Sequence, residues 1–196
     1  MVGSVLGDSS QRAIQCRIAA LLAGIPDTVP VHTVNRQCSS GLQAVASVAA
    51  AIRAGFYTIG LAGGVESMST NPMAWEGGIN PRVAENEDAQ NCLLPMGVTS
   101  ENVAERYGVG RPEQDGLAAR SHARAAAARK SGRFRDEIVP VATKLVDPKT
   151  GEEKAVVVSE DDGIREGVTA QALGQLRTVF KKDGTTTAGN SSQVGV

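Results

Sequence analysis

The sequence has few aromatic side chains and no long hydrophobic run. Only six of its 196 residues, or 3%, are Trp, Tyr or Phe, so a base-stacking surface for single-stranded nucleic acid is not expected. Its longest nearly apolar stretch, residues 44–52, is far shorter than the roughly 20 residues that span a bilayer. We therefore expect neither that kind of nucleic-acid surface nor a membrane span.

Charge of either sign is also not in excess. The chain has 20 Lys and Arg against 21 Asp and Glu, which gives a formal net charge of −1. This balance provides no basic footprint for nucleic acid. Hydrophobic residues at 41% argue against a disordered chain.

Cysteine is scarce and is not spaced as metal ligands are. Cys16, Cys38 and Cys92 make an odd number, which favours a reduced compartment and predicts no metal site. The two histidines are placed in secondary structure: we expect His32 to be packed in a strand and His122 to face solvent on a helix.

Strand and helix patterns alternate in the first third of the chain. Residues 2–7, 29–34 and 57–62 have the composition of strands, and Ser9 or Ser10 is the expected cap of the first helix. Apolar residues at helical spacing predict one buried face on each of the two helices: Ile14, Ile18, Leu21 and Leu22, then Leu42, Val45, Ala49 and Ile52. The order predicts an α/β protein with a largely parallel sheet.

A different organisation follows. Residues 70–98 lack a clear period and predict a long loop, which at this length is usually functional. Helices are expected at about 101–107 and from about Pro112 to Ser131, with Gly132 as the stop. Residues 138–146 and 155–158 predict a hairpin around the turn residues 147–151.

Cys38 is the main candidate for catalysis. It follows a predicted strand and opens a predicted helix, where the positive end of the helix dipole stabilises a thiolate and backbone N–H groups can bind an oxyanion. A buried structural cysteine explains the pattern about equally well, because free cysteine is among the most buried residue types.

Longer motifs resemble the thiolase family. They cover nearly the whole chain in family order: residues 33–44 around Cys38, 63–69, 96–104, 136–141 and 182–192. Within the family they resemble the peroxisomal 3-ketoacyl-CoA branch of plants and algae. The resemblance implies a thiolase-like N-terminal half, an incomplete βαβαβ layered sheet, with an inserted α+β loop domain. It also implies domains at 1–68 and 69–180, with 181–196 beginning the return into the first.

The resemblance implies an acyltransferase of fatty-acid β-oxidation. Cys38 attacks the 3-keto carbon, acetyl-CoA leaves, and CoA collects the shortened acyl group, a ping-pong reaction. Coenzyme A is then a substrate, no cofactor is tightly bound, the enzyme is a homodimer and the compartment is the peroxisome, although no targeting segment is recognised in this chain.

Family position also implies the residues that contact the substrate. Met96 would border the acyl pocket, where Pro95 replaces the His of short-chain thiolases and favours longer chains. The residues around the CoA moiety would be Arg165, Phe180, Ala188 and Ser192. Each has a simpler explanation: a surface charge for Arg165, a core residue for Phe180 and a turn residue for Ser192.

By resemblance the chain is a fragment. The family's first strand and helix, and its second half with a Gly-His-Pro histidine and a Cys-x-Gly cysteine, have no counterpart here. The family strand order 3-2-1-4-5 then leaves strands 2–7 and 57–62 with no strand between them. One interpretation is a thiolase represented by part of its chain, inactive alone. Another is a truncated or spliced product that at most binds a subunit or CoA, and a weaker one is a ketoacyl-synthase-like enzyme.

The resemblance suggests a redox partner for the nucleophile. Cys92 precedes Met96, which by family position borders the pocket over Cys38. Two thiols facing one cleft form a reversible disulfide if their Cα atoms lie within about 7 Å. An ordinary loop cysteine is the simpler interpretation of Cys92.

Overall fold

The structure is a computed structural model that describes residues 1–7, 11–73 and 77–192. Contacts divide these residues into two compact units, residues 1–78 and 79–192 with the gaps just given. The expected cap at Ser9 or Ser10 lies outside the described residues.

The first unit is built on three short parallel strands. They are β1 (Val2–Gly3), β2 (Thr33–Val34) and β3 (Gly63–Gly64), in the order β2-β1-β3. The predicted alternation of strand, helix, strand, helix, strand is confirmed, but each strand is shorter than predicted. Residues 57–62 are not in a strand; the third strand begins at Gly63 instead.

No strand lies between β1 and β3 in the described sheet, as predicted, but the two strands pair directly and leave no gap. Val2 pairs with Thr33 on one side and with Gly63 on the other, so β1 is the central strand. Backbone hydrogen bonds join the partners directly, including Gly63 N to Met1 O at 3.1 Å and Val65 N to Gly3 O at 3.0 Å. Pairing in this way satisfies backbone groups that an open gap would leave without partners.

Two helices connect the strands, and their predicted buried faces are wrong. Helix α1 (Arg12–Leu22) has no buried residue, and its apolar residues Ile14, Ile18, Leu21 and Leu22 are 44–85% exposed. Helix α2 (Ser40–Arg53) buries Ser40, Ala44 and Val48 against the strands. The predicted stripe lies on another face, where Leu42 is 74% exposed.

The second unit is mainly helical. The predicted loop 70–98 contains a 3₁₀ helix (Pro81–Glu85) and helix α3 (Glu87–Asn91), because Asn80 and Asn86 accept the amides of Arg82 and Ala89 as N-caps. Helix α4 (Met96–Tyr107) begins five residues earlier than predicted.

The remaining elements follow the prediction more closely. Helix α5 (Arg111–Lys130) has Pro112 in its first turn, as expected, and Gly132 takes φ 74° just after its end. Strands β4 (Val141–Val146) and β5 (Glu153–Val158) form the predicted antiparallel hairpin. Helix α6 (Ala170–Gly174), capped by Thr169, was not predicted. Among the described residues, no helix combines the length and apolar character needed to cross a membrane.

Candidate active site

Cys38 lies in the tight turn between the end of β2 and the start of α2. Its side chain is exposed, which excludes the buried structural cysteine that the sequence left open. Gln37, immediately before it, has φ 51°, a left-handed conformation that costs a non-glycine residue roughly 1–2 kcal/mol. Backbone strain of this kind is concentrated at functional sites.

Ser40 holds this turn closed. Its side chain is 3% exposed, and its Oγ accepts the Arg36 amide at 2.8 Å and donates to Gln37 O at 2.6 Å. Asn35 Oδ1 accepts the Gln37 amide at 3.0 Å. The strained residue is thus fixed through both its N–H and its C=O.

Glycines let α2 approach the sheet. A β-carbon at Gly3 would lie 2.3 Å from the carbonyl atoms of Ser40, and one at Gly64 would lie 3.4 Å from Gly41 Cα. Since contacts under 3.0 Å essentially do not occur, Gly3 has to be glycine for the helix to begin where it does. The glycines of β1 and β3 therefore determine where the first turn of α2 lies against the sheet, and with it the position of Cys38.

The arrangement suits a nucleophile. Cys38 precedes the N-terminus of a 14-residue helix, whose first backbone N–H groups carry partial positive charge. Backbone N–H groups at such a position can bind a developing oxyanion.

Glu66 is a supporting residue that the sequence analysis missed. Its carboxylate accepts the amides of Val5 at 2.7 Å and Leu6 at 3.0 Å. It fixes the chain that leaves β1 beside the helix mouth. The prediction that His32 is packed in a strand is wrong: His32 is exposed and lies just before β2.

In the second unit, two of the predicted substrate residues meet at the start of α4. Met96 is 64% exposed and Phe180 is 46% exposed, so Phe180 is not a core residue. A β-carbon at Gly97 would lie 2.1 Å from the Phe180 ring, which shows that the ring lies directly on the helix backbone. Met96 also borders a groove of about 440 Å³, with these other lining residues: Thr99, Ser100, Val103, Ala104, Val109 and Gln114.

Ala188 and Ser192 lie on the segment that follows Phe180. Both are exposed, whereas Thr186 and Thr187, just before Ala188, are buried. The buried side of the segment contacts Glu101 of α4. Burial raises the pKa of that carboxyl, but the amides of Thr186 and Thr185 and their hydroxyls outweigh it and hold the pKa below its ordinary value of 4.5.

Arg165 is exposed, and it is held through its backbone. Its amide donates to His122 Nδ1 at 3.2 Å, and the next residue, Glu166, pairs with Arg129 at 3.0 Å. His122 is half-buried, so the expectation that it faces solvent is wrong. It anchors the segment that carries Arg165, a role that spacing along the sequence does not show.

Cys92 is an exposed thiol at the end of α3 whose Sγ contacts Asp88 O at 3.4 Å. All three cysteines are free. Cys38 and Cys92 belong to different compact units, and their disulfide stays a prediction. Within the described ranges, no group of three or more His, Cys, Asp or Glu side chains is arranged to hold a metal ion.

Known proteins match this chain over nearly its whole length. The peroxisomal 3-ketoacyl-CoA thiolase 2 of Arabidopsis thaliana is 69% identical over 194 residues, 99% of this chain and 42% of that protein. Mouse peroxisomal 3-ketoacyl-CoA thiolase A is 55% identical over 193 residues, 98% of this chain and 45% of that protein. The chain thus spans less than half the length of these relatives.

Solved structures agree with these matches. The dimeric peroxisomal thiolase of Saccharomyces cerevisiae superposes with a TM-score of 0.85 at 42% identity, covering 98% of this chain and 48% of that chain. The acetyl-CoA acetyltransferase of Bacillus anthracis gives a TM-score of 0.78 at 38% identity, covering 97% and 49%. The family described as thiolase, N-terminal domain, matches residues 1–195. With this match, and with a free thiol at the strained mouth of α2, the chain belongs to the thiolase family.

Proposed function

We propose that this chain supplies the nucleophile of a peroxisomal 3-ketoacyl-CoA thiolase. The observation that carries the proposal is the exposed Cys38 thiol in a turn fixed by Ser40, at the mouth of a helix. Membership of the thiolase family supports acyl transfer as the chemistry of this cysteine. The relatives named peroxisomal, in plants and in mouse, support the compartment.

In the proposed reaction, the Cys38 thiolate attacks the 3-keto carbon of a 3-ketoacyl-CoA. The C2–C3 bond then breaks, acetyl-CoA leaves as an enolate that takes up a proton, and the shortened acyl group stays on sulfur as a thioester. The thiol of a second CoA gives up its proton and displaces Cys38. The Cys38 amide stabilises the oxyanion of each tetrahedral intermediate.

The binding residues are proposed on the second unit. The Phe180 ring on Gly97 offers an exposed apolar face, and Ala188 and Ser192 are exposed on the neighbouring segment. Arg165 supplies a cation for a CoA phosphate. Met96 borders an open, mainly apolar groove that is proposed to take the acyl chain, and Pro95, in place of the His of short-chain thiolases, favours a chain longer than acetoacetyl. CoA is a substrate, and no tightly bound cofactor is needed.

A homodimer is proposed through the free edge of β2. In the described sheet, β2 pairs only with β1 and is an edge strand. Edge strands carry unpaired backbone groups that a second copy can satisfy. The yeast relative is dimeric, and this supports the assignment.

Acyl transfer to Cys38 tests the function. The purified chain is incubated with a 3-ketoacyl-CoA, quenched in acid and mapped by mass spectrometry. We expect an acyl group on Cys38 and none on Cys92, which is equally a free and exposed thiol. Sustained thiolysis is not expected, because neither a Gly-His-Pro nor a Cys-x-Gly motif occurs in these 196 residues and loss of a catalytic group costs on the order of 10⁴-fold.

Two variants serve as controls. Cys38→Ser abolishes the acyl peptide, whereas Cys92→Ser leaves it unchanged. Equal acylation of Cys38 and Cys92 in the wild type would show that only exposure governs reactivity, and would contradict the proposal.

A further inference from the structure

The segment 184–192 contains both exposed and buried residues. Ala188 and Ser192, the proposed CoA contacts, are exposed. Thr186 and Thr187 are 5% and 1% exposed. The segment has no regular secondary structure, so its conformation depends on contacts with the helices beneath it.

Glu101 of α4 holds the beginning of this segment. It is 4% exposed, and its two carboxylate oxygens accept the Thr185 amide at 2.9 Å, the Thr186 amide at 2.7 Å and the Thr185 hydroxyl at 3.1 Å. A β-carbon at Gly184 would lie 2.5 Å from Glu101 Oε1. The chain therefore has to enter the segment through a glycine to reach the carboxylate.

Asp115 of α5 holds the end of the segment. It is 2% exposed, and its Oδ1 accepts Asn190 Nδ2 at 3.0 Å. Asn190 also donates to Thr185 O at 2.8 Å and accepts the Thr187 amide at 2.8 Å. Arg111 balances the buried charge, since its Nε lies 2.7 Å from Asp115 Oδ2.

Two buried carboxylates from two helices thus fix the same nine residues at both ends. A carboxylate can accept every one of these donors at once, whereas an amide of the same shape would oppose one N–H group with another. Charge-assisted hydrogen bonds are roughly twice as strong as neutral ones. Ala188 lies between the two anchored ends and is exposed to solvent.

We propose that Glu101 and Asp115 are positioning residues for coenzyme A: they hold the segment 184–192 in the conformation that presents Ala188 and Ser192 to the ligand. This rests on the proposed function, because it takes these two residues as CoA contacts. Neither carboxylate touches CoA itself. Their effect is transmitted through the Thr185, Thr186 and Asn190 hydrogen bonds.

The test is a titration of the full purified chain with CoA by calorimetry, in parallel with amide hydrogen exchange. Glu101→Gln is expected to weaken CoA binding by on the order of 10-fold, since small misplacements of binding groups are costly, and to speed exchange at Thr185 and Thr186. Glu101→Asp, which keeps the charge, restores part of both. Asp115→Asn, at the other end of the segment, is also expected to weaken CoA binding and to speed amide exchange.

Glu105→Gln is the matched control. Glu105 lies one turn further along α4, and its exposed ion pair with Lys181 is of a kind worth little. The Glu105→Gln substitution removes one negative charge from α4, as Glu101→Gln does, but does not change a contact of the segment 184–192. CoA binding is therefore expected to stay as in the wild type. If Glu101→Gln does not fold, Asp115→Asn and Glu101→Asp carry the measurement.

The outcomes separate the two proposals. Weakened CoA binding in Glu101→Gln and Asp115→Asn, with partial rescue by Glu101→Asp, supports positioning. Faster exchange with unchanged CoA affinity overturns it and leaves the carboxylates with a structural role alone. A wild-type chain that binds no CoA instead overturns the proposed CoA site, and the positioning role with it.

Discussion

At the scale of single residues, the turn before α2 depends on one buried hydroxyl. Ser40→Ala removes the acceptor of the Arg36 amide and a donor to Gln37 O. Leaving the partly buried Arg36 amide without an acceptor costs roughly 1 kcal/mol, and the Gln37 backbone loses one of the hydrogen bonds that hold it in the left-handed conformation. We expect lower stability in urea unfolding and slower alkylation of Cys38 by iodoacetamide, followed by peptide mapping.

Ser39→Ala is the control for this prediction. Ser39 is the adjacent serine, is exposed, and makes no side-chain hydrogen bond as N-cap of α2. Its replacement should leave both measurements near the wild-type values. Equal effects of the two substitutions would show that Ser40 does not hold the turn.

The sequence pattern locates the proposed nucleophile but not the residues that fix it. Cys38 could be placed at a strand-to-helix turn because the apolar patterns on both sides are local. The inward position of Ser40 could not, because it depends on how closely Gly3 lets the helix approach the sheet. Glu66, Glu101 and Asp115 were missed for the same reason: their partners lie 60 or more residues away in the chain.

At the scale of elements, α2 has two apolar faces, of which one contacts the sheet. Val48 is 6% exposed and Val45 is 51% exposed. We expect Val48→Ala to lower the free energy of unfolding by about 2 kcal/mol, from lost burial and a residual cavity. Val45→Ala, the same change on the other face, should cost less than about 0.5 kcal/mol in the same urea titration.

The outcome distinguishes the two faces. Equal destabilisation by both variants would mean that the Val45 face is covered in solution, for example by self-association. The sequence could not choose between the faces, because a helix that is apolar all round has no single buried stripe. For α1 and α2 the periodicity predicted the helices correctly. Which face of each helix is buried depends on which face packs against the described sheet.

At the scale of the whole molecule, the proposed dimer places β2 against a second copy. Thr33 lies in that edge strand, and Thr33→Glu puts a charge where strands would pair, so we expect light scattering to show monomers in place of dimers. Thr143→Glu, in the exposed strand β4, is the control and should leave the mass unchanged. A Thr33→Glu protein that stays dimeric would contradict the assignment of this edge.

The domain boundaries at 69 and 181 stay predictions, as does the Cys38–Cys92 disulfide. What the sequence predicted best was the family and the kinds of elements, since long motifs and local periodicity carry both. It predicted burial poorly. In α1, for example, Ile14, Ile18 and Leu22 have the spacing of a buried face but are 52–85% exposed.

The β4–β5 hairpin has a practical consequence for handling the protein. Its turn is held by Asp147, whose Oδ1 accepts the amides of Lys149 and Thr150, and nearly all residues of its two strands are exposed. Exposed turns of this kind are where inserted sequence is tolerated and where proteases cut first. The turn is therefore a suitable place for an epitope or a fluorescent label, at a position where trypsin cleavage after Lys149 would also report on the integrity of a preparation.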